Sequence, residues 1–408
     1  MIDHLFRHQY GKMVSILTRI FGLAHLETIE DAVQDTFVTA SLSWRNQIPD
    51  NPEAWLTQAA KNRTIDLFRK FNAEKKRVPM IESGAEMIAM FDLFLDNEIE
   101  DSQLRMIFAA CHPALNPKDQ IAFSLKTISG FSSSEIASAL LLKEETVKKR
   151  LTRARKVVQE QNIEFAIPQG KSLPKRLDRV LEVLYLIFNE GFHSTRRDML
   201  VRKELCGEAM RLCEMLLKNT FTRSEASYAL FALMCFHAAR LDSKVSPEGD
   251  IIDIKNQDRS LWFFPMVELG NDAMNKAVES GVYTGYHYEA AIASIHHQAS
   301  TFALTNWDAL LHWYQKLYEL EPSDLTLLNM ASIFLQKKEL NMALQILEEI
   351  DPKKLEQRAY LYYGTYAEYF YQQGSMQSAI SHMDQALGLV KNEAEKKHLE
   401  KKRNLMLQ

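Results

Sequence analysis

One predicted helix, starting at Asn51-Pro52, carries Asn62, Arg63, Asp66 and Arg69. Asn and Asp side chains can hydrogen-bond base edges, while Lys and Arg hold phosphates. Asn62 and Asp66 are four residues apart and share one side. Lys61, Arg63, Arg69 and Lys70 make a basic surface beside them, and Trp55, Ala59, Ile65 and Phe68 are expected to face a core. Such a surface suits unstacked bases of melted DNA. A second basic set follows later. Thr146, Lys148, Lys149, Arg150 and Arg153 face outward on a helix whose buried stripe is Val147, Leu151 and Ala154. An outward face of this kind can enter a major groove and pair with guanines and phosphates. A third set is acidic: Asp31, Gln34 and Asp35 stand apart from the stripe Ala32, Val33, Phe37 and Ala40. With Phe37 as an exposed aromatic beside it, this face suits docking onto a basic helical partner. A solvated helix surface is the plain alternative for the acidic face and for the second basic helix, each taken alone.

These side chains need helices to present them. Ser132 and Glu135, three apart, form a capping box, and the helix runs on through Ser138-Ala139-Leu140. A short turn, Leu141-Leu142-Lys143, leads to a helix with Glu144 and Glu145 at its start and bases toward its end, as the helix dipole favours. A helix, a tight turn and a basic second helix make a helix-turn-helix. Apolar residues recur at helical spacing almost throughout, as in Leu181, Leu184, Tyr185 and Phe188. The fold class is all-α.

With 408 residues, the chain suggests two to four domains. A net charge of −4 excludes a protein that coats nucleic acid by overall basicity, so any such contact must come from local patches. Breaks fall at Phe71–Pro79 with the acidic run to Asp101, at Ile167–Pro174, and at Ser243–Asp258. They predict a first unit at 1–73, a linker at 74–99, a helix-turn-helix unit at 100–165 and a helical region at 171–408. Near the end, hairpins over about 325–350 and 356–390 carry Ala331, Ala343, Gly364, Ala367, Gly374, Ala379 and Ala386 where paired helices pack closely. The pattern resembles tetratricopeptide repeats, with a period of about 34 residues. Generic helical hairpins are the alternative.

The order D-A-x-Q-D-x-F, a short loop, then P-x-x-W-L-x-x-x-x-x-N-x-x-x-D-x-x-R, resembles region 2 of sigma-70-family factors. E-I-A, then T-V-K-x-R-L-x-R-A-R, resembles region 4 of the same family. The resemblance implies a region 2 helical bundle, a region 4 helix-turn-helix and a helical-repeat-like extension. It places Asp31, Gln34, Asp35 and Phe37 at the docking face for core RNA polymerase. It places Asn62, Asp66 and Arg69 near the melted −10 element, gives the −35 element to region 4, and assigns part of base choice to a loop at about 43–49. Leu141 and Lys143 stand where many members have glycine and serine, so the turn forms without glycine's freedom at positive φ. The run Leu140-Leu141-Leu142 and the segment Phe108–Leu115 resemble a subgroup of extracytoplasmic-function factors with a long C-terminal extension. Val183–Phe192 and Gln257–Trp262 resemble that extension itself.

The implied function is a transcription initiation factor that binds core polymerase and promoter DNA, assists melting and has no catalysis of its own. Three roles compete for the extension: a scaffold for a regulatory protein, an intramolecular gate or polymerase contact, and an enzyme or ligand sensor. The last rests on His287, His296, His297 and His312 with Glu190 and Asp258. Adjacent His296 and His297 point to different helix faces. Asn189-Glu190 and Asp258-Arg259 are expected to make helix-terminal hydrogen bonds and an interior ion pair. No catalytic residue, cofactor or metal is expected: Cys111-His112 has no second pair nearby, and the four cysteines read as free thiols. Met1-Ile2-Asp3-His4 is not a signal sequence, and no apolar run approaches membrane length, so a cytoplasmic protein is expected. A helical scaffold without promoter activity is the alternative from another class.

Overall fold

The computed structural model describes residues 2–44, 48–75, 96–140, 142–192, 199–247, 250–390 and 393–407. It describes their side chains except those of 2–8, 64, 67–75, 96, 97, 99, 199–202, 357 and 394. The chain divides into two compact units, 1–190 and 191–408. Among the described residues the only β feature is one isolated bridge, Val245 to Ile251. It lies in the third predicted break. No helix among them is long and apolar enough to cross a membrane.

The first unit contains α1 (Ile2–Phe21), α2 (Leu26–Ser43), α3 (Pro52–Lys75), α4 (Asp96–Ala110), α5 (Pro117–Thr127), α6 (Ser133–Ala139), α7 (Glu144–Glu160) and most of α8 (Leu173–Phe192). Tyr10, Met13, Ile16 and Leu17 of α1 are buried with Ile29, Val33 and Leu56. α1 also packs on α4 and touches α5. Arg19 fastens it there through Glu98 (2.6 Å) and Asp101 (3.1 Å). Gly11 permits the closest approach. A Cβ at this position would lie 1.7 Å from the Ile128 carbonyl oxygen, which is backbone and cannot swing aside. Gly11→Ala is therefore expected to cost about 1–3 kcal/mol, as overpacking does, read as a lower urea midpoint of the first unit.

The first unit does not end at the Ile167–Pro174 break. Arg176 of α8 donates to the Phe108 carbonyl (2.6 Å), and Arg179 donates to the Gln120 side-chain carbonyl (2.9 Å). These bonds tie the start of α8 to α4 and α5, so the boundary falls at 190/191.

The second unit continues with α9 (Met199–Lys218), α10 (Glu225–Ala238), α11 (Phe264–Ala277), α12 (Gly285–Gln298), α13 (Trp307–Leu320), α14 (Asp324–Gln336), α15 (Leu340–Glu349), α16 (Ala359–Gln372), α17 (Met376–Leu389) and α18 (Glu393–Met406). Residues 229–236 of α10 are all buried, because α9, α11 and α12 pack around it. A helix enclosed on every side shows no amphipathic stripe. The two expected hairpins are α14/α15 and α16/α17. Fully buried Ala331, Ala343, Ala367, Ala379 and Ala386 let their helices approach, and Gly374 turns between α16 and α17 at φ 83°.

The last helix is held by ion pairs. Lys397 and Lys401 both reach Asp250, at 2.5 and 2.6 Å. His398 and Lys402 both reach Asp253, at 3.0 and 2.8 Å. Spacing of four aligns each pair with one carboxylate. The lysine hydrogen bonds hold the Asp250 carboxyl down to about 2. Burial alone would raise Asp253, but His398 and Lys402 pull it below the usual range. A depressed carboxylate stabilises fully above its ordinary value, near 3.8, and loses this as pH falls through the folded value. α18 is thus expected to stay docked down to about pH 4 and to loosen toward pH 2. At neutral pH, 1 M salt, where the Debye length is about 3 Å, should speed amide exchange in 393–406 relative to α16.

Candidate polymerase and nucleic-acid interface

In the first unit, α2 is fixed by its apolar face: Ile29, Ala32, Val33, Phe37 and Ala40 are all buried. Asp31 and Asp35 are exposed and Gln34 is half-buried. Gln34 lies beside the buried Tyr10 hydroxyl. Phe37 is only 4% exposed, so the expected exposed aromatic is a core residue. The reason is helical spacing, since Phe37 lies four residues from Val33 and three from Ala40. The candidate docking face is acidic and polar without it.

α3 begins as expected, with the Asn51 side chain accepting the Ala54 N–H (3.0 Å). Its buried stripe is rotated one residue from the predicted one. Leu56 and Ala60 are fully buried, whereas Trp55, Ala59 and Ile65 are half-buried. Trp55 meets buried Trp44 edge-on, ring centres 5.3 Å apart. The rotation takes Lys61 inside, at 3% exposure, so it leaves the expected basic surface, and burial pulls its ammonium below the ordinary range. Asn62, Arg63 and Asp66 stay exposed. Gln58 donates to Asn62 (2.9 Å), and Arg63 pairs with Asp35 across to α2 (3.1 Å). A candidate base-contact residue and a candidate polymerase-contact residue therefore touch. The side chains of Phe68, Arg69 and Lys70 and residues 45–47 of the predicted recognition loop lie outside the described residues, as does Leu141.

The helix-turn-helix forms over α6 and α7. The Ser132 hydroxyl accepts the Glu135 N–H (3.1 Å), and the Glu135 carboxylate accepts the Ser132 N–H (2.7 Å). Lys143 starts α7 in extended backbone with no side-chain cap, as expected where serine is missing. Val147, Leu151, Ala154 and Val158 are buried along one face. Lys148, Lys149 and Arg153 project on the other side, each with about two thirds of its side chain exposed. Thr146 and Arg150 are half-buried rather than fully outward. Arg150 leans toward the Lys118 carbonyl (3.4 Å), and Arg153 is anchored by buried Asp119 of α5 (2.9 Å). Lys148 and Lys149 pair with Glu144 and Glu145 one turn back, at 2.8 and 2.7 Å. Exposed pairs of this kind are worth only about 0.3–0.5 kcal/mol, so they yield readily to phosphates.

One functional-looking residue escaped the sequence. Arg155, in the same basic run, turns inward and binds Glu30 of α2 at 2.5 Å, with Glu27 at 3.7 Å. Glu30 is 1% exposed. Nothing local in the sequence distinguishes Arg155 from Arg153; only the helix rotation that buries Leu151 and Val158 does. Elsewhere, Asp258 binds Ser260 through both its N–H (2.9 Å) and its hydroxyl (2.7 Å). The expected helix-terminal bond is there, but the interior ion pair with Arg259 is not: that guanidinium binds main-chain carbonyls instead. All four cysteines are buried free thiols, and burial pushes Cys111 up to about 12.

Comparison with known proteins matches three segments. Residues 5–74 match sigma-70 region 2, residues 105–158 match sigma-70 region 4, and residues 176–278 match a family of unknown function, DUF6596. A Rhizobium meliloti protein named Uncharacterized protein R00370 is 30% identical over 376 residues, covering 91% of this chain and 88% of its own. The ferric citrate uptake sigma factor FecI of Escherichia coli is 30% identical over 152 residues, covering 37% of this chain and 85% of its own. The RNA polymerase sigma factor CnrH of Cupriavidus metallidurans is 30% identical over 159 residues, covering 36% and 79%. No solved structure matches. Matches to both sigma regions, in order, on a helical bundle and a capped helix-turn-helix, decide the family: the chain belongs to the sigma-70 family of RNA polymerase sigma factors, in its extracytoplasmic-function group, with a helical C-terminal extension.

Proposed function

We propose that this chain, as a sigma factor, docks on core polymerase through the acidic face of α2 and reads a two-part promoter. Asn62, Arg63, Asp66 and Arg69 of α3 meet the melted −10 strand, and Thr146, Lys148, Lys149, Arg150 and Arg153 of α7 meet the −35 element. The second unit regulates this activity, either by holding a regulatory protein or through an intramolecular contact. The protein works in the cytoplasm and performs no catalytic step itself. The observation that carries this is the α7 surface: a basic side with three well-exposed cations, set on a buried apolar stripe and started by a capped helix and turn. A scaffold would have no need of that division.

Charge reversal on α2 tests the docking face. Asp31→Lys/Asp35→Lys should weaken binding of fluorescent protein to purified core polymerase at least tenfold, with helix content by circular dichroism unchanged. Phe37→Ala should act through stability, costing about 3–5 kcal/mol as core Phe→Ala changes do. Unchanged binding by the charge-reversed protein would remove α2 from the interface.

A further inference from the structure

We propose that Arg240, Lys244 and Arg259 in the second unit form a binding site for the phosphoryl group of a small molecule. The three cations are drawn together around a rigid polar frame. Arg240 follows the end of α10, and its guanidinium lies 5.1 Å from the Phe192 ring centre. It also contacts the Gln257 side-chain carbonyl at 3.4 Å, which accepts from the Ser243 hydroxyl at 3.2 Å. Trp262 donates its indole N–H to that same hydroxyl (2.9 Å) and lies under the Arg259 guanidinium at 4.6 Å. Arg259 donates from Nη1 to the carbonyls of His296 and Ala299 at the end of α12, while its Nη2 is buried without a partner. Lys244 sits 3.4 Å from the Phe192 ring centre and donates to the Phe192 carbonyl. His296 and His297 both feel Arg240 and Arg259.

What this cluster lacks, among the described residues, is negative charge. Among the described residues, none of the three cations meets a carboxylate; their partners are carbonyls, an amide and aromatic rings. Three other partly buried arginines are paired with carboxylates: Arg155 with Glu30, Arg19 with Glu98 and Asp101, Arg211 with Glu208 (2.7 Å). Arg176 instead donates to a lone main-chain carbonyl, whereas here three cations are gathered together. The phenol of Tyr314 is near Arg240, but burial pushes it up to about 12, so it is neutral. Burial, then Arg240, brings Lys244 down to about 7; burial, then the arginines, brings His296 and His297 to about 3 and about 4. Such displacement marks uncompensated positive charge in a low-dielectric place. An arginine cannot shed its proton to relieve this; an anion can. Two guanidinium forks and an ammonium match the charge and oxygens of a phosphoryl dianion better than a lone carboxylate.

Titration calorimetry on the full chain tests the site, with inorganic phosphate and glycerol phosphate as probes and ionic strength held with chloride. Saturable binding at one site per chain is expected. Arg240→Gln and Arg259→Gln should each weaken it at least tenfold with unchanged circular dichroism, while Lys316→Gln should not. Tighter glycerol phosphate points to an organic phosphate as the natural ligand, and tighter inorganic phosphate to the free ion. Should a glutamine variant fail to fold, Arg240→Lys decides: affinity at least threefold lower supports the site through the lost fork, and unchanged affinity overturns it. No saturable binding by the unaltered chain, or equal binding by both folded glutamine variants, also overturns it. Neither readout passes through transcription.

Discussion

Arg155→Ala is expected to destabilise the first unit by about 3–5 kcal/mol. The change deletes one half of a buried pair whose other half, Glu30, is 1% exposed. Oε1 of Glu30 has no hydrogen bond of its own, so Arg155 is its main compensation. Burial already lifts the Glu30 carboxyl above its usual range, although Arg155 pulls the other way. Without Arg155 it should rise further. A raised carboxyl favours the folded state at low pH and loses that contribution as pH rises through the folded value. The variant's deficit should therefore be full at pH 8 and shrink toward pH 5. Urea unfolding at the two pH values, with amide exchange in α2 and α7 to localise it, checks both claims. Glu30→Leu/Arg155→Met should recover most of the loss, because apolar groups of similar size leave no buried charge behind. A deficit under 1 kcal/mol at pH 8 would contradict the buried pair.

Replacing Lys148, Lys149 and Arg153 with alanine should cut promoter affinity of the reconstituted holoenzyme at least a hundredfold. The two lysines are expected to contact phosphates, each lowering the slope of log affinity against log salt by about 0.9. A double lysine variant should thus flatten that slope by about 2 while sequence preference persists. Arg153 is the better candidate for a base contact, since Asp119 fixes its guanidinium. Arg153→Ala alone should cost about 1–3 kcal/mol and relax preference at one base pair. Anisotropy measured with −35 duplexes over a salt series separates these effects. A slope untouched by the lysine changes would take α7 away from DNA.

How much of this was legible in the sequence differs by element. α7 was legible as a helix and in its buried stripe, because Val147, Leu151 and Ala154 repeat at helical spacing and Glu144 and Glu145 open it. It was not legible in the placement of Thr146, Arg150 and Arg155, which tertiary packing turns partly inward. The capping box at Ser132 was equally plain. α3 was legible as a helix but not in rotation: Trp55 and Leu56 compete for the core, and tertiary packing chose Leu56, which carried Lys61 inside. Phe37 shows the reverse error, where an aromatic on an apolar stripe was assigned outward against its own spacing. The Glu30–Arg155 pair spans 125 residues, and no local pattern encodes such a contact. The cationic cluster of the second unit draws on Phe192, Arg240, Lys244, Gln257 and Arg259, which are scattered along the chain. Phe192 and Gln257 stood out only as part of segments resembling the extension, and Arg259 was matched with Asp258, whose carboxylate went to Ser260 instead. Long-range charge pairing is therefore where the sequence was least informative.

Run-off transcription by purified core polymerase, on the promoter upstream of this protein's own gene, tests the central claim most directly. The account predicts transcripts with the full chain present and none with core polymerase alone. It also predicts a changed yield from a truncation after residue 190: lower if the second unit activates, higher if it restrains. No transcript from either form, together with no binding of either to core polymerase, would contradict the sigma-factor function.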